Sequence, residues 1–155
     1  PMHEMFAAVR VVVQSHPDVK VVYPVHPNPK VSQIAQSELD GVERIRLVEP
    51  LDVLDFHNLI NASYLVLTDS GGIQEEAPAL GKPVLVMRDC TERPEGVEAG
   101  TLALVGTKSA GIEASFSKLL DDSTAYDRMA RASNPYGDGF ASRRIVDVLG
   151  RKESW

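Results

Sequence analysis

The chain has 155 residues, 43% of them hydrophobic and 25% charged, a composition that fits one globular domain and excludes an intrinsically disordered chain. Its formal net charge of -6 at pH 7 argues against a protein that grips a nucleic-acid backbone through bulk charge. Backbone amides and a single arginine are nevertheless enough to bind a small phosphate compound.

The cysteine count and the hydrophobic pattern point to the cytoplasm. Cys90 is the single cysteine, so no internal disulfide forms, and a lone thiol fits a reducing compartment. No stretch reaches the roughly 18 apolar residues of a membrane-spanning helix, and the segment 1–10 lacks the layout of a secretory signal. Because the chain opens at Pro1 rather than at methionine, with a helical pattern from the start, we expect it to be part of a longer protein.

Helical and strand patterns alternate along the chain. Apolar residues recur at helical spacing over 2–15, and an apolar, β-branched run suited to a sheet covered on both faces follows at 19–25. The alternation continues, and it predicts helices at 31–39, 51–62 and 73–80, strands at 45–48, 64–68, 83–87 and 102–105, and helices near 109–120, 124–132 and 140–149. The segment 88–100 fits neither pattern and is predicted to be an irregular loop.

This alternation predicts the fold class α/β, as a Rossmann-like, doubly wound parallel sheet whose right-handed crossovers place helices on both faces. In the helix predicted at 51–62, we expect Leu54, Leu59 and Ile60 to lie in the core. Ligands bind such sheets at the carboxyl ends of the strands. The loops of interest are therefore those after Val25, Val48, Thr68, Met87 and Val105.

The turn Asp69-Ser70-Gly71-Gly72 is the strongest local signal, because it joins a predicted strand to a predicted helix. Its two glycines let a ligand approach the backbone, and Ser70 is predicted to cap the helix that follows. Amides that point outward from a helix start would then form a cradle for a phosphate. The turn is neither a Gly-x-Gly-x-x-Gly motif nor a P-loop, and a plain strand-to-helix turn explains the same residues.

Two glutamates, Glu75 and Glu76, follow this turn. Glu76 comes far enough after Ser70 to lie about 9 Å further along a helix. A carboxylate next to a phosphate would repel it, whereas at this separation it can accept hydrogen bonds from the two hydroxyls of a ribose. The alternative for both glutamates is a solvated surface charge.

The segment 88–96 follows the fourth predicted strand at the same edge of the sheet, and it combines arginines and acids around a proline. Arg93 is predicted to clamp a phosphate through two parallel N–H bonds. The alternative is an exposed loop of mixed charge. Cys90 has no histidine near it in the sequence, so we expect a buried or unreactive thiol rather than a nucleophile.

His26 stands directly after the first predicted strand, between prolines that stiffen its loop, and is a candidate for contacting a ligand or transferring a proton. A histidine that merely closes the loop is the alternative. Phe56 is expected to pack under the edge of the sheet, with its backbone at the ligand edge. The other histidines lack metal-ligand spacing and have no cysteine beside them, so the sequence predicts no metal site.

Several motifs occur in order along the chain. The most specific are Asp-Ser-Gly-Gly-x-Gln-Glu-Glu at 69–76 and Arg-Asp-x-Thr-Glu-Arg-Pro-Glu at 88–95. The others are Pro-Val-His-Pro-Asn-Pro at 24–29, Pro-Leu-Asp at 50–52 with Phe56, Gly-Lys-Pro-Val-Leu at 81–85, Gly-Thr at 100–101, Leu-Val-Gly-Thr at 104–107 and Asn-Pro-Tyr-Gly-Asp-Gly at 134–139. Over about residues 2–149, the series resembles the C-terminal domain of bacterial, non-hydrolysing UDP-N-acetylglucosamine 2-epimerases.

The resemblance implies that residues 1–155 are the UDP-binding half of a two-domain protein of the glycosyltransferase-B type, with no metal or redox cofactor. The parent protein would be a cytoplasmic homodimer that binds UDP-N-acetylglucosamine and UDP, and neither nucleic acid nor membrane. The implied site residues are Ser70, Gly71 and Gly72 for the diphosphate, Arg93 for the phosphates, Glu76 for the ribose, the backbone near Phe56 for the uracil, and His26 near a second, activating UDP-N-acetylglucosamine.

The resemblance also implies a reaction. Members of this family interconvert UDP-N-acetylglucosamine and UDP-N-acetylmannosamine by eliminating UDP across C1–C2 of the sugar and adding it back, with a proton delivered to the opposite face of C2. The carboxylates that handle this proton belong to the family's N-terminal domain, and this sequence does not contain them. We therefore expect the chain by itself to bind weakly and to be inactive.

The sequence was also compared with what other functions would require. The donor domain of a UDP-sugar glycosyltransferase shares the fold, the phosphate site and the ribose carboxylate, but the motifs at 88–95 and 134–139 favour the epimerase. Hydrolysing relatives, which release free N-acetylmannosamine, are a close variant. A phospho-receiver domain would need an acidic pair after the first strand, where His26 and Asn28 stand. A separate nucleotide-binding or regulatory module is disfavoured by the absence of an initiator methionine.

Overall fold

A computed structural model describes residues 1–150, and the last five residues of the predicted domain lie outside the described residues. Helices and strands alternate through most of this range, as predicted. The helices are α1 (Met2–Ser15), α2 (Pro29–Leu39), α3 (Val53–Ala62), α4 (Ile73–Ala79), α5 (Pro94–Ala99), α6 (Ser109–Asp121), α7 (Ser123–Ala130) and α8 (Ala141–Gly150). The strands are β1 (Val21–Pro24), β2 (Ile45–Val48), β3 (Val66–Thr68), β4 (Val84–Val86) and β5 (Leu102–Leu104).

Helix α5 lies where the sequence predicted an irregular loop, and that prediction was wrong. Pro94 begins the helix, where its missing N–H group is no loss, and Gly100 ends it in the left-handed conformation with a φ of 81°. Both are recognisable boundary signals. Six residues are too few, however, to show the periodic apolar face from which helices are predicted.

Helix α3 faces the core with Ile60, as expected, but not with Leu54. Ile60 is buried, and Phe56 packs against the same cluster one helical turn earlier. Leu54, which was predicted to lie in the core, is 74% exposed. Residues two positions apart in a helix are separated by about 200° around its axis. Leu54 comes two positions before Phe56 and therefore points away from the side that carries Phe56.

All strand pairs in the described residues are parallel. Strands β1 and β2 form one ladder, and β3, β4 and β5 form a second ladder in that order. The predicted α/β class with parallel strands is confirmed. Within residues 1–150 no backbone pairing joins β1 to β3, and the two ladders are connected instead by side-chain packing, since Leu67 of β3 contacts the hydrophobic clusters on both sides.

Helices cover both faces of the β3–β4–β5 ladder. Val84 and Val86 of β4 pack on one side against Ile60 of α3 and Ala77 of α4. Leu85 points to the opposite side, into a cluster with residues of α1 and α6. The two-residue alternation of a strand thus buries every β4 side chain, with about 1.5–3 kcal/mol of stabilisation for each large one.

Helix α8, like α7, contains no buried residue. Its apolar side chains, together with that of Phe140 just before it, are all more than half exposed. The exposed residues are Phe140, Ile145, Val146, Val148 and Leu149. In the part of the chain that the structure describes, no helix has the length and hydrophobicity needed to cross a membrane.

Candidate functional site

The turn at 69–72 follows β3 and leads into α4. The helix begins at Ile73, with Gly72 as its N-cap in a right-handed helical conformation and no side-chain capping bond. The prediction that Ser70 caps this helix was therefore wrong. The backbone N–H of Ser70 instead donates to Oγ1 of Thr68 at 3.0 Å, so this part of the turn is held by the last residue of β3.

Gln74, in the first turn of α4, connects the 69–72 turn to the loop at 88–93. Its side chain is fully buried and donates from Nε2 to the carbonyl oxygen of Ser70 at 3.1 Å. Its Oε1 atom accepts the hydroxyl of Thr91, and the Thr91 oxygen in turn accepts the backbone N–H of Arg93 at 3.0 Å. Sequence analysis did not single out Gln74 or Thr91, because a lone glutamine and a lone threonine carry no recognisable pattern.

Arg93 is held between a side chain and a backbone carbonyl. Its Nε atom pairs with the carboxylate of Glu75, and its Nη1 atom donates to the carbonyl oxygen of Glu92 at 3.2 Å. The hydrogen bond to Glu75 raises the pKa of the guanidinium above its usual value, so the positive charge is secure. The guanidinium has five N–H groups, and the remaining ones are available for a phosphate.

Gly71 has the carboxylate of Glu92 directly beside it. A Cβ atom at Gly71 would stand 2.5 Å from Oε1 of Glu92, so a larger residue would require this side chain to move. Nη1 of Arg88 pairs with the other carboxylate oxygen at 2.8 Å. The backbone amide of Glu92 itself, followed by the charge of Arg88, holds the pKa of Glu92 below its usual range, so a negative charge already lies against Gly71.

An open depression of about 550 Å³ lies over the loop that follows β4. It is lined by Thr107 and by residues 88–92, including Glu92. Cys90 belongs to this lining and is exposed, so of the two expectations, a buried or an unreactive thiol, the structure excludes the buried one. The loop around it is too short and too polar to cover a side chain from solvent.

Glu76 lies next to α3. Its Oε2 atom accepts a hydrogen bond from Nε2 of His57 at 3.1 Å, and both side chains are partly exposed. His57 follows Phe56, whose ring packs against the core cluster under β3 and β4. The structure therefore brings Glu76 and the Phe56 segment together. Sequence analysis missed the pairing of Glu76 with His57, because these residues are far apart in the chain.

His26 stands apart from this group. It is exposed, and its Nδ1 atom accepts the backbone N–H of Asn28 at 3.1 Å, which places the proton of the neutral ring on Nε2. Among the described residues, no hydrogen bond or ion pair joins His26 to the other predicted site residues. No cluster of histidine, cysteine, aspartate or glutamate in residues 1–150 is arranged to hold a metal ion.

The fold and the site together define a class of protein. Strands β3 and β4 are parallel neighbours, so the loops after them meet at one edge, where the 69–72 turn, the 88–93 loop and the start of α4 bring two arginines and three glutamates together. This is the ligand edge of a parallel α/β domain. A family model described as UDP-N-acetylglucosamine 2-epimerase matches residues 1–150. The chain belongs to the UDP-N-acetylglucosamine 2-epimerase family.

Two curated relatives illustrate the similarity. The UDP-N-acetylglucosamine 2-epimerase of Bacillus subtilis (strain 168) is 58% identical over 149 residues, which cover 96% of this chain and 39% of the relative. That of Escherichia coli (strain K12) is 51% identical over 146 residues, covering 94% of this chain and 39% of the relative. The chain thus spans 39% of the length of either relative.

Solved structures give the same result. The S. aureus MnaA-UDP co-structure is 56% identical and superposes with a TM-score of 0.92, covering 96% of this chain and 41% of that one. The Neisseria meningitidis UDP-GlcNAc 2-epimerase bound to UDP-GlcNAc is 44% identical with a TM-score of 0.91, covering 96% and 40%. The described fold is therefore the fold of this family over the matched part.

Proposed function

We propose that this chain is the C-terminal, UDP-binding half of a two-domain enzyme that interconverts UDP-N-acetylglucosamine and UDP-N-acetylmannosamine. The observation that carries the proposal is the first turn of α4. Its two adjacent glutamates have different partners, since Glu75 holds Arg93 while Glu76 lies beside His57 of α3. A phosphate-binding side and a ribose-binding side are thus available next to each other at one helix start.

On the phosphate side, the backbone at Ser70, Gly71 and Gly72 would hold the diphosphate and Arg93 would bind its oxygens. The free N–H groups of Arg93 suit two parallel bonds to a phosphate. The carboxylate of Glu92 now lies against Gly71 and would have to swing away, which its exposed position allows. Arg88, released from Glu92, would then add a second positive charge at the same place.

On the nucleoside side, Glu76 would accept hydrogen bonds from the ribose hydroxyls. Its carboxylate is partly exposed and has only His57 as a side-chain partner among the described residues. The backbone near Phe56 lies on the neighbouring helix and would read the uracil. The ring of Phe56 is packed in the core cluster, so its contribution to uracil recognition would come from main-chain atoms.

Gripping UDP is part of the proposed chemistry. When UDP is eliminated, the C1–O bond breaks, the electron pair leaves with the diphosphate and the proton at C2 is removed. Negative charge then develops on the diphosphate, where Arg93 and the amides of the 69–72 turn would stabilise it. UDP adds back to the 2-acetamidoglucal while a proton reaches the opposite face of C2. The groups that move this proton would come from the N-terminal domain.

The proposal also covers the parent protein and the role of His26. The two-domain architecture, the homodimeric parent protein and the cytoplasmic location are proposed with it. His26, exposed at the end of β1 with Nε2 free to donate, is proposed to face the other domain, where it would contact a second UDP-N-acetylglucosamine or take part in proton transfer. The chain by itself would bind UDP weakly and catalyse nothing measurable.

A calorimetric titration of the chain with UDP and with ADP tests the proposal. We expect UDP to bind, ADP to bind less tightly, and Glu76→Ala to weaken UDP binding about tenfold or more, since it removes charge-assisted hydrogen bonds to ribose. Glu98→Ala, at an exposed position on α5, is the matched control and should bind as the unmodified chain does. Equal affinity for UDP and ADP in a folded sample would contradict the assignment of uracil recognition to this chain.

Activity must be measured on a protein that also contains the N-terminal domain. The expected product from UDP-N-acetylglucosamine is UDP-N-acetylmannosamine. Free UDP together with a transferred sugar would identify a glycosyltransferase instead, and free N-acetylmannosamine would identify a hydrolysing epimerase.

A further inference from the structure

We propose that Gln74 and Thr91 are positioning residues that hold the 69–72 turn and the 88–93 loop in one arrangement, so that Gly71 and Arg93 present a single diphosphate site. The inference rests on the proposed function, because it concerns how the phosphate side of that site is assembled. The hydrogen bonds through Gln74 and Thr91 are called the Gln74–Thr91 link below.

The link begins in the interior. Gln74 is 0% exposed, and a buried amide side chain destabilises the fold unless its donor and acceptor are both satisfied. Here Nε2 donates to the Ser70 carbonyl, and Oε1 accepts from Thr91. Each end of the amide therefore holds a different loop, and neither end can be released without leaving a buried polar atom unpaired.

The link ends at the backbone of Arg93. The Thr91 hydroxyl donates its proton to Gln74 and at the same time accepts the N–H of Arg93. A continuous series of hydrogen bonds thus runs from the carbonyl of Ser70, next to Gly71, to the amide of Arg93. Bonds that share atoms in this way strengthen one another, and these three bonds are partly shielded from solvent.

The other contacts between the two loops are weaker constraints. The ion pair of Arg93 with Glu75 is partly exposed, and exposed ion pairs contribute little to a fixed geometry. The contact of Glu92 with Gly71 has no hydrogen bond, and Glu92 would have to leave when a phosphate enters. The link, which is anchored in the buried Gln74, is therefore what sets the distance between Gly71 and Arg93 in both the free and the bound state.

Thr91→Val and Thr91→Ser form a matched pair of variants. Valine keeps the shape of threonine but has no hydroxyl, whereas serine keeps the hydroxyl and loses only a methyl group. In the chain without ligand, we expect Thr91→Val to speed amide hydrogen exchange about tenfold at Ser70, Glu75 and Glu76 as well as at Arg93, and Thr91→Ser to exchange at the unmodified rate. Faster exchange at Arg93 alone would overturn the proposal.

The reciprocal variant is Gln74→Met, which has a similar length and no hydrogen-bonding amide. It is expected to speed exchange at the Arg93 amide by a similar factor, although Gln74 makes no bond to that amide. Unchanged exchange at Arg93 would also overturn the proposal. If Thr91→Val does not fold, the exchange rate of the Arg93 amide in Gln74→Met tests the proposal instead.

Ligand binding separates positioning from a general loss of structure. NMR titrations with UDP and with uridine, which lacks phosphates, should show UDP binding weakened about tenfold by Thr91→Val and restored in Thr91→Ser, with uridine binding unchanged. Equal weakening of both ligands would mean a purely structural role and would overturn the inference. If the unmodified chain binds neither ligand, the proposed function fails, while the exchange measurements still decide whether the link couples the two loops.

Discussion

The two parallel ladders of this domain are built differently. Every residue of β4 is buried, because helices cover both faces of the β3–β4–β5 ladder. The β1–β2 ladder contributes a single buried side chain, that of Ile45, and Val22 of β1 is exposed. The loops at the ends of the two ladders differ in the same way. The loops after β3 and β4 are joined by the buried Gln74, whereas His26 after β1 has only a local bond to Asn28.

The two ladders differ in how firmly they hold the loops that follow their strands. Two loops that start from adjacent strands covered by helices can be locked to each other, and that suits a site that must hold a diphosphate in one position. The loop after β1 is stiffened by its own prolines, and in the described residues no side-chain hydrogen bond ties His26 to another loop.

Leu85→Ala should remove about 2–5 kcal/mol from the free energy of unfolding, because it leaves a cavity inside the cluster between β4 and helices α1 and α6. Val22→Ala, in the other ladder, should cost less than about 1 kcal/mol, because this side chain is already partly in solvent. Urea unfolding followed by circular dichroism measures both. Equal losses would remove the distinction between the two ladders.

Gly96→Ala tests the packing beneath the 88–93 loop. A Cβ atom there would stand 2.3 Å from the hydroxyl of Tyr136 and 2.5 Å from Cδ1 of Leu102, and such crowding should cost about 1–3 kcal/mol of stability. Gly72→Ala is the contrasting substitution. Its φ is -61° and its Cβ would approach Oε1 of Glu76 only to 3.5 Å, so stability should stay the same or rise by up to about 1 kcal/mol. Thermal unfolding without ligand compares the two.

Glu92→Gln should strengthen UDP binding by a few-fold, because it removes a negative charge that lies against Gly71 and frees Arg88. Glu98→Gln changes the net charge equally at an exposed position and should leave the affinity unchanged. The gain should shrink as salt is added, because the interaction is exposed. Weaker binding in Glu92→Gln would show that this carboxylate takes part in holding the ligand.

Glu4→Gln tests the seam between the two ladders, where α1 packs against both clusters. The hydrogen bond from Lys108, and then that from the amide of Ser109, lower the pKa of Glu4. Its carboxylate therefore stabilises the fold at pH values above the usual pKa of a glutamate and loses this effect as the pH falls through the lowered pKa. We expect a small reduction in Tm for Glu4→Gln near neutral pH that disappears in acid. Glu43→Gln, at an exposed position without such partners among the described residues, is the matched control and should leave Tm near neutral pH unchanged.

Much of the fold follows from local sequence patterns. Helix α1 has its predicted bounds, and the strand predicted at 45–48 is β2, because a run of suitable side chains determines each of them. Short elements and their ends are less predictable. Strand β1 begins two residues later than predicted, and α5 was missed, since neither has enough residues for a period to appear.

The individual residues of the candidate site were predictable from the sequence, but their contact partners were not. The 69–72 turn, Arg93 and Glu76 are recognisable as polar or flexible residues after predicted strands. Their partners are not, because Glu75 to Arg93, Gln74 to Thr91 and His57 to Glu76 are contacts between distant segments. The identity of the N-cap of α4 also depends on the backbone geometry of the whole turn rather than on the presence of Ser70.

Local sequence patterns specify the order of helices and strands apart from α5, the parallel α/β class and, through the ordered motifs, the family. Each of these is encoded in residues close together in the chain. Three features depend on the tertiary structure. They are the burial of one side of α3, the contact of Glu92 with Gly71, and the hydrogen bonds by which a buried glutamine joins two loops. Such contacts depend on how β3 and β4 are aligned and on which helix faces meet across them, and no local pattern in the chain specifies that alignment.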